Sequence, residues 1–148
     1  MGLARVVLDA SVVIGTLDAT DNSHEAATKQ LLATSGCTRI VAGITRSEIL
    51  VSYARKGQLT RGHADLDGLR IYTAPALAGS PGLDLVERTE AWSDLVASIR
   101  AETGLKTPDA VVLATAILVG GSVVTIDKKL AAAAANRGRL FEPPADTP

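Results

Sequence analysis

Short runs of β-branched and aliphatic residues alternate along the chain with stretches in which apolar side chains recur every three or four positions. The first pattern belongs to buried strands and the second to helices packed on one face. Arg5 to Leu8 reads as a strand and, beyond Asp9, Ser11 to Leu17 as a helix. Asp18 to Asn22 is a polar loop. Ser23 is placed to cap a helix reaching about Thr34, with Ala26, Ala27, Leu31 and Leu32 inward and Ser35-Gly36 as its stop. Thr38 to Ala42 is a second strand, and after Gly43 a helix carrying Ile44, Ile49, Leu50 and Tyr53 runs to about Lys56 and ends at Gly57. Thr60 to Gly68 is a shorter helix, Leu69 to Thr73 a third strand, and Pro75, Gly79, Pro81 and Gly82 mark a loop. Leu85, Val86, Trp92, Leu95, Val96 and Ile99 support a long helix ending at Gly104. Thr107-Pro108 opens the next helix, with Thr as its N-cap and Pro at its first position. That helix is apolar nearly all round to Val119 and should be buried; Gly120-Gly121 closes it. Ser122 to Ile126 is a fourth strand, Lys128 to Ala135 a last helix and Leu140-Phe141 an edge strand.

Strands that alternate with helices imply an α/β fold whose mostly parallel sheet, of four to five strands, is covered on both faces. The 148 residues make one domain, expected over 1–142, with a flexible C-terminal tail over 143–148. Composition agrees: 47% of residues are hydrophobic, only four are aromatic, and the apolar weight lies in Ala, Val, Leu and Ile. A lone Cys37 cannot form an internal disulfide, and the N-terminus lacks the pattern of a secretory leader, so a cytoplasmic protein is expected. The longest apolar run, Ala110 to Val119, is shorter than the roughly 20 residues a bilayer needs, so no membrane partner is expected. Fifteen basic against sixteen acidic residues give a net charge of −1, which excludes a global positive field. Basic residues cluster only locally, at Arg55-Lys56 with Arg61, at Lys128-Lys129, and at Arg137 with Arg139, where a solvated surface accounts for them.

Four carboxylates beside apolar segments change the picture: Asp9, Glu48, Asp109 and Asp127. Singly, each has a structural explanation. Asp9 and Asp127 follow strands as N-caps would, Glu48 lies three residues after Thr45 as in a capping box, and Asp109 falls in a first turn where the helix dipole favours negative charge. Together they share a location. A helix that follows a parallel strand begins at that strand's carboxyl edge, and so does a helix that runs back to feed the next strand. All four acids therefore belong to the edge where open α/β sheets bind ligands. Their mutual repulsion would raise their pKa values unless a cation compensates, and an oxygen-only donor set calls for Mg²⁺ or Mn²⁺. His24 and His63 lie on polar, exposed segments, and with a single Cys there is no zinc-type ligand set. An acid-held metal that activates water points to phosphate chemistry.

The ordered segments VVLDASVVIG, TRSEIL, TPDAVVLATA and VVTIDKKL resemble those of PIN-domain proteins, and specifically the VapC-type toxins of bacterial toxin–antitoxin pairs, from Val6 to about Leu140. A hydrophobic-Asp-x-Ser stretch alone says little; the ordered set of four carries the resemblance. It implies a three-layer α/β/α PIN-like domain and a metal-dependent endoribonuclease with Asp9, Glu48, Asp109 and Asp127 as catalytic and metal-holding residues. It also implies supporting hydrogen bonds from Ser11 and Thr125, an RNA substrate, a small cognate antitoxin and a homodimer. Arg46 and Lys128, next to the acids in sequence, are the expected substrate-steering cations. The fourth segment departs from the common pattern, reading Ile126 where many members have Asn before the acid and Leu130 where they have Phe three after it.

Competing readings fail on particular residues. A dehalogenase-like phosphatase needs a second Asp two residues after the first, where Ser11 stands, and a receiver domain needs paired acids after strand one and a phosphoacceptor after strand three, where Thr73-Ala74-Pro75 stands. A housekeeping RNA-processing nuclease of the same fold and a non-catalytic binding scaffold remain as alternatives, though a pure binding surface gains nothing from four repelling carboxylates.

Overall fold

The computed structural model describes residues 3–74 and 85–144, with side chains from residue 90 onward in the second segment. Its strands are β1 (Arg5–Leu8), β2 (Thr38–Val41), β3 (Ile71–Thr73) and β4 (Ser122–Val124), all parallel and in the order β3-β2-β1-β4. The helices are α1 (Ala10–Leu17), α2 (His24–Ala33), α3 (Gly43–Arg55), α4 (Leu59–Gly68), α5 (Leu85–Thr103), α6 (Thr107–Val119) and α7 (Lys128–Asn136).

Strand side chains alternate between two apolar layers, as the pleat requires. Val6, Leu8, Val41 and Val124 face α1, α2, α3 and α4, while Val7, Ile40 and Val123 face α5, α6 and α7. The result is the expected three-layer α/β/α architecture. Pairing of Val7 with Ile40 on one side and Val123 on the other makes β1 the centre of the sheet. Ala110 to Ala116 of α6 are buried without a break, which accounts for a helix apolar on every side. Gly15 sets the approach of α1 to α2: a Cβ there would stand 2.7 Å from the Cβ of Ala27. Among the described residues no helix is long and apolar enough to cross a membrane.

Several boundaries move, each for a physical reason. β4 ends at Val124 rather than Ile126, because its ladder partner β1 ends at Leu8, opposite Val124, and gives way to α1. Lys106, not Thr107, occupies the N-cap of α6, and Thr107-Pro108 form its first two residues; the proline's missing amide is harmless at either position. Ser23 stands at the N-cap of α2 but its side chain caps nothing, and its own amide donates to Asp21 Oδ1 at 2.7 Å instead. Leu140 forms a single parallel bridge to Val123, with the Phe141 amide donating to the Val123 carbonyl, so the predicted edge strand is one bridge long. The expected loop over Pro75 to Gly82 and the tail from 145 lie outside the described residues.

Candidate functional site

From β1 the chain moves outward to β2 and then β3 on one side, and afterwards crosses back to β4 on the opposite side of β1. The connections from β1 and β4 therefore leave in opposite directions, opening the crevice in which doubly wound sheets place their ligands. Asp9 stands at this switch point. It occupies the N-cap position of α1, yet its side chain caps nothing. Although only 8% exposed, its carboxylate accepts at Oδ2 from the Ser11 hydroxyl at 2.7 Å and from the Thr125 hydroxyl at 2.8 Å. The Asp9 amide donates to the Val124 carbonyl at 2.9 Å, locking the end of β1 to the end of β4.

A relay continues from there. Thr125 accepts from the Asp127 amide at 3.0 Å, and Asp127 caps α7 by accepting the Leu130 amide at Oδ1, 2.9 Å away. The helix-cap reading of Asp127 thus holds. Asp109 is the third residue of α6, in the predicted first turn. Glu48 is a correction, since α3 begins at Gly43 and puts this acid in the second turn. The capping-box explanation of Glu48 therefore fails, and Thr45, its would-be partner, is fully buried with no hydrogen-bond partner for its hydroxyl among the described residues.

The electrostatics join what the chain separates. Burial raises the Asp109 carboxyl above its ordinary range, repulsion from Asp9 and Asp127 raises it further, and Lys106 and Lys129 pull it back down. Glu48 is raised by partial burial first, then by Asp9 and by Asp109. Four acids from four segments therefore act on one another at one edge of the sheet. Among the described residues, no three acid, His or Cys side chains stand gathered around a common ligating point; one oxygen of Asp127 is engaged in its cap and one of Asp9 with two hydroxyls. Repulsion reaches Glu48 from Asp9 and Asp109, and Asp109 from Asp9 and Asp127, and an all-oxygen donor set of this kind suits a hard divalent cation.

The remaining expected residues fall at the margin. Arg46 donates to the His63 Nδ1 at 2.7 Å, and Lys128 is the exposed first residue of α7. His24 is half-buried rather than exposed, its Nδ1 lying 2.7 Å from the Gly15 carbonyl, which can only accept. The cations that bear on Asp109 are Lys106, which the sequence reading did not single out, and Lys129, which it assigned with Lys128 to a solvated surface. Their signal was nonetheless present: both sit at the start of helices, where the dipole disfavours positive charge. A separate cavity of about 240 Å³ between α1, α3 and α4, lined by Ile14, Ile49, Tyr53, Arg61 and Asp65 among others, contains none of the four acids.

A search of curated proteins gave no significant match. Among solved structures the chain resembles a toxin–antitoxin complex from Klebsiella pneumoniae, at 22% identity over 93% of this chain and 97% of that one, with a TM-score of 0.66. It also resembles VapC20 of Mycobacterium tuberculosis, described as a sarcin–ricin-loop-cleaving toxin, at 18% identity over 94% and 99% of the two chains, TM-score 0.60. VapBC2 of Rickettsia felis, bound to a DNA fragment from its promoter, matches at 16% identity over 83% and 87%, TM-score 0.53. At these identities the likeness is one of fold. The family model for the PIN domain matches residues 6–136, a span that contains all four acids, and the chain belongs to the PIN domain family.

Proposed function

We propose that the chain is an endoribonuclease dependent on Mg²⁺ or Mn²⁺, held by Asp9, Glu48, Asp109 and Asp127, and that it serves as the toxin of a toxin–antitoxin pair. The observation that carries this reading is the arrangement at the switch point of the sheet, where Asp9 is held by Ser11 and Thr125, Thr125 is tied to Asp127, and Glu48 and Asp109 lie close enough to Asp9 to be raised by it. The toxin role draws support from the resemblance to a sarcin–ricin-loop-cleaving toxin and to a toxin–antitoxin complex.

When bound, a divalent cation supplies a Lewis acid that lowers the pKa of water and offsets charge on the phosphodiester. The residues of this chain supply the rest. Ser11 and Thr125 fix the Asp9 carboxylate, so that it enters the site without rearrangement. Asp127 is fixed by its cap and by the Thr125 relay. One of the four carboxylates would accept the proton released by the attacking water. Arg46 and Lys128 are the proposed steering cations. A small antitoxin would cover the acidic edge, and the active unit would be a homodimer.

Incubating a panel of single-stranded and stem-loop RNAs with wild type and Asp9→Asn, with Mg²⁺ and with a chelator, tests the reading. Cleavage by wild type with Mg²⁺ alone is expected. Equal cleavage by both proteins, or cleavage that persists in chelator, refutes it. RNA binding that survives chelator with no cleavage by either protein favours the scaffold alternative.

A further inference from the structure

Three lysines occupy helix N-termini at the carboxyl edge of the sheet: Lys106 at the N-cap of α6, and Lys128 and Lys129 as the first two residues of α7. Helix starts favour Asp, Ser, Thr and Asn, and a cation there opposes the dipole. Positions that break a local rule with no packing gain are where function is expected. These side chains gain little from packing, since Lys106 and Lys129 are both exposed. Lys129 is nevertheless held in place: its Nζ donates to the Gly104 carbonyl at 3.1 Å, in the turn between α5 and α6. Gly104 has φ +71, a left-handed conformation that presents this carbonyl at the turn immediately before Lys106. The contact ties the start of α7 to the turn that leads into α6, whose first turn carries Lys106 at the N-cap and Asp109 three residues on.

We infer that Lys106 and Lys129 form the phosphate-binding rim of the acidic edge, contacting backbone phosphates of a single-stranded RNA next to the scissile bond. This inference rests on the ribonuclease reading and adds to it the residues that bring a polyanion up to four carboxylates. A nucleic acid approaching that edge meets repulsion first, and the chain's net charge of −1 gives no general attraction. Two local cations beside Asp109 provide the compensation. Lys129 exchanges a neutral carbonyl for a phosphate oxygen, a stronger charge-assisted partner, without leaving the site. The contrary explanation is that the lysines only offset the charge of the acids within the folded protein.

The test measures binding of a fluorescein-labelled, mixed-sequence single-stranded RNA by anisotropy, with Ca²⁺ present, across a KCl series. Wild type is compared with Lys106→Ala, Lys129→Ala and, as a charge-matched control on α2, Lys29→Ala; cleavage of total RNA by wild type with Mg²⁺ runs in parallel. Each rim variant is expected to bind about tenfold more weakly, and to lower the magnitude of the log–log salt slope by about 0.7, with Lys29→Ala unchanged. Slopes equal to wild type, or the same loss in all three variants, overturn the inference, as does a loss of thermal stability with no change in slope. Absence of cleavage by wild type overturns the ribonuclease reading instead, so the two failures are told apart.

Discussion

Thr125→Val isolates the bond that joins the two halves of the acidic edge. The Thr125 hydroxyl donates to Asp9 Oδ2 at 2.8 Å and accepts from the Asp127 amide at 3.0 Å, and Thr125 and Asp9 are only 7% and 8% exposed. Valine keeps the β-branched shape and removes both bonds. A hydrogen bond to a buried carboxylate is worth about 1.5–3 kcal/mol net, and the Asp127 amide, left without its acceptor, adds roughly 1 kcal/mol. The new methyl group returns about 0.8 kcal/mol of burial. The expected loss is therefore about 2–3 kcal/mol, which for a domain of this length lowers Tm by roughly 5–10 °C. Urea denaturation monitored by circular dichroism reads it as a fall in midpoint at constant m. Thr125→Ser keeps the hydroxyl and should recover most of the difference. A valine variant as stable as wild type, or a serine variant that falls as far, would show that the relay through Thr125 does not hold the site.

Asp109 and Glu48 both titrate above their unfolded-state values, so the folded protein binds more protons than the unfolded chain from the ordinary carboxylate range up to the raised pKa values. These two groups therefore make stability fall as pH rises through that window, and the cost persists at neutral pH. Without divalent metal, Asp109→Asn should accordingly melt at or above the wild-type temperature at pH 7 and respond less to added Mg²⁺; a lower melting temperature in chelator refutes the repulsion. At the α1–α2 contact, Gly15→Ala should cost about 1–3 kcal/mol by overpacking. Adding Ala27→Gly should recover part of that, and strict additivity of the two in a thermal-melt cycle would count against the contact.

The layering of the fold was legible because hydrophobic periodicity is a local signal with a global meaning. A run such as Val6-Val7-Leu8 can only be buried on both faces, and a helix apolar all round, as over Ala110 to Ala116, can only be packed inside. Strand order was not legible. Nothing in β2 or β4 alone says that each lies against β1, because pairing depends on which crossover the intervening helices permit. The misplaced ends have other causes. β4 stops early because its ladder partner β1 turns into α1 beyond Leu8, opposite Val124, and Ser23 stands at the N-cap of α2 without its side chain bonding a helix amide.

The same distinction separates the acids from the lysines around them. Asp9, Glu48, Asp109 and Asp127 could be assigned to one edge from topology alone, since every helix that starts after a parallel strand, or feeds the next, starts there. The supporting contacts could not. Asp9 receives a hydrogen bond from a residue 116 positions away, and Lys129 rather than Lys128 bears on Asp109, although the two are adjacent in sequence. Along a helix, neighbouring residues point roughly 100° apart, so adjacent lysines carry their ammonium groups in different directions. Sequence proximity to an acid therefore names the helix that supplies a counter-charge, while the residue that supplies it depends on how α6 and α7 meet, through the bond from Lys129 to Gly104. An acidic edge built this way needs its carboxylates in one place but can draw its cations from any helix that begins beside them.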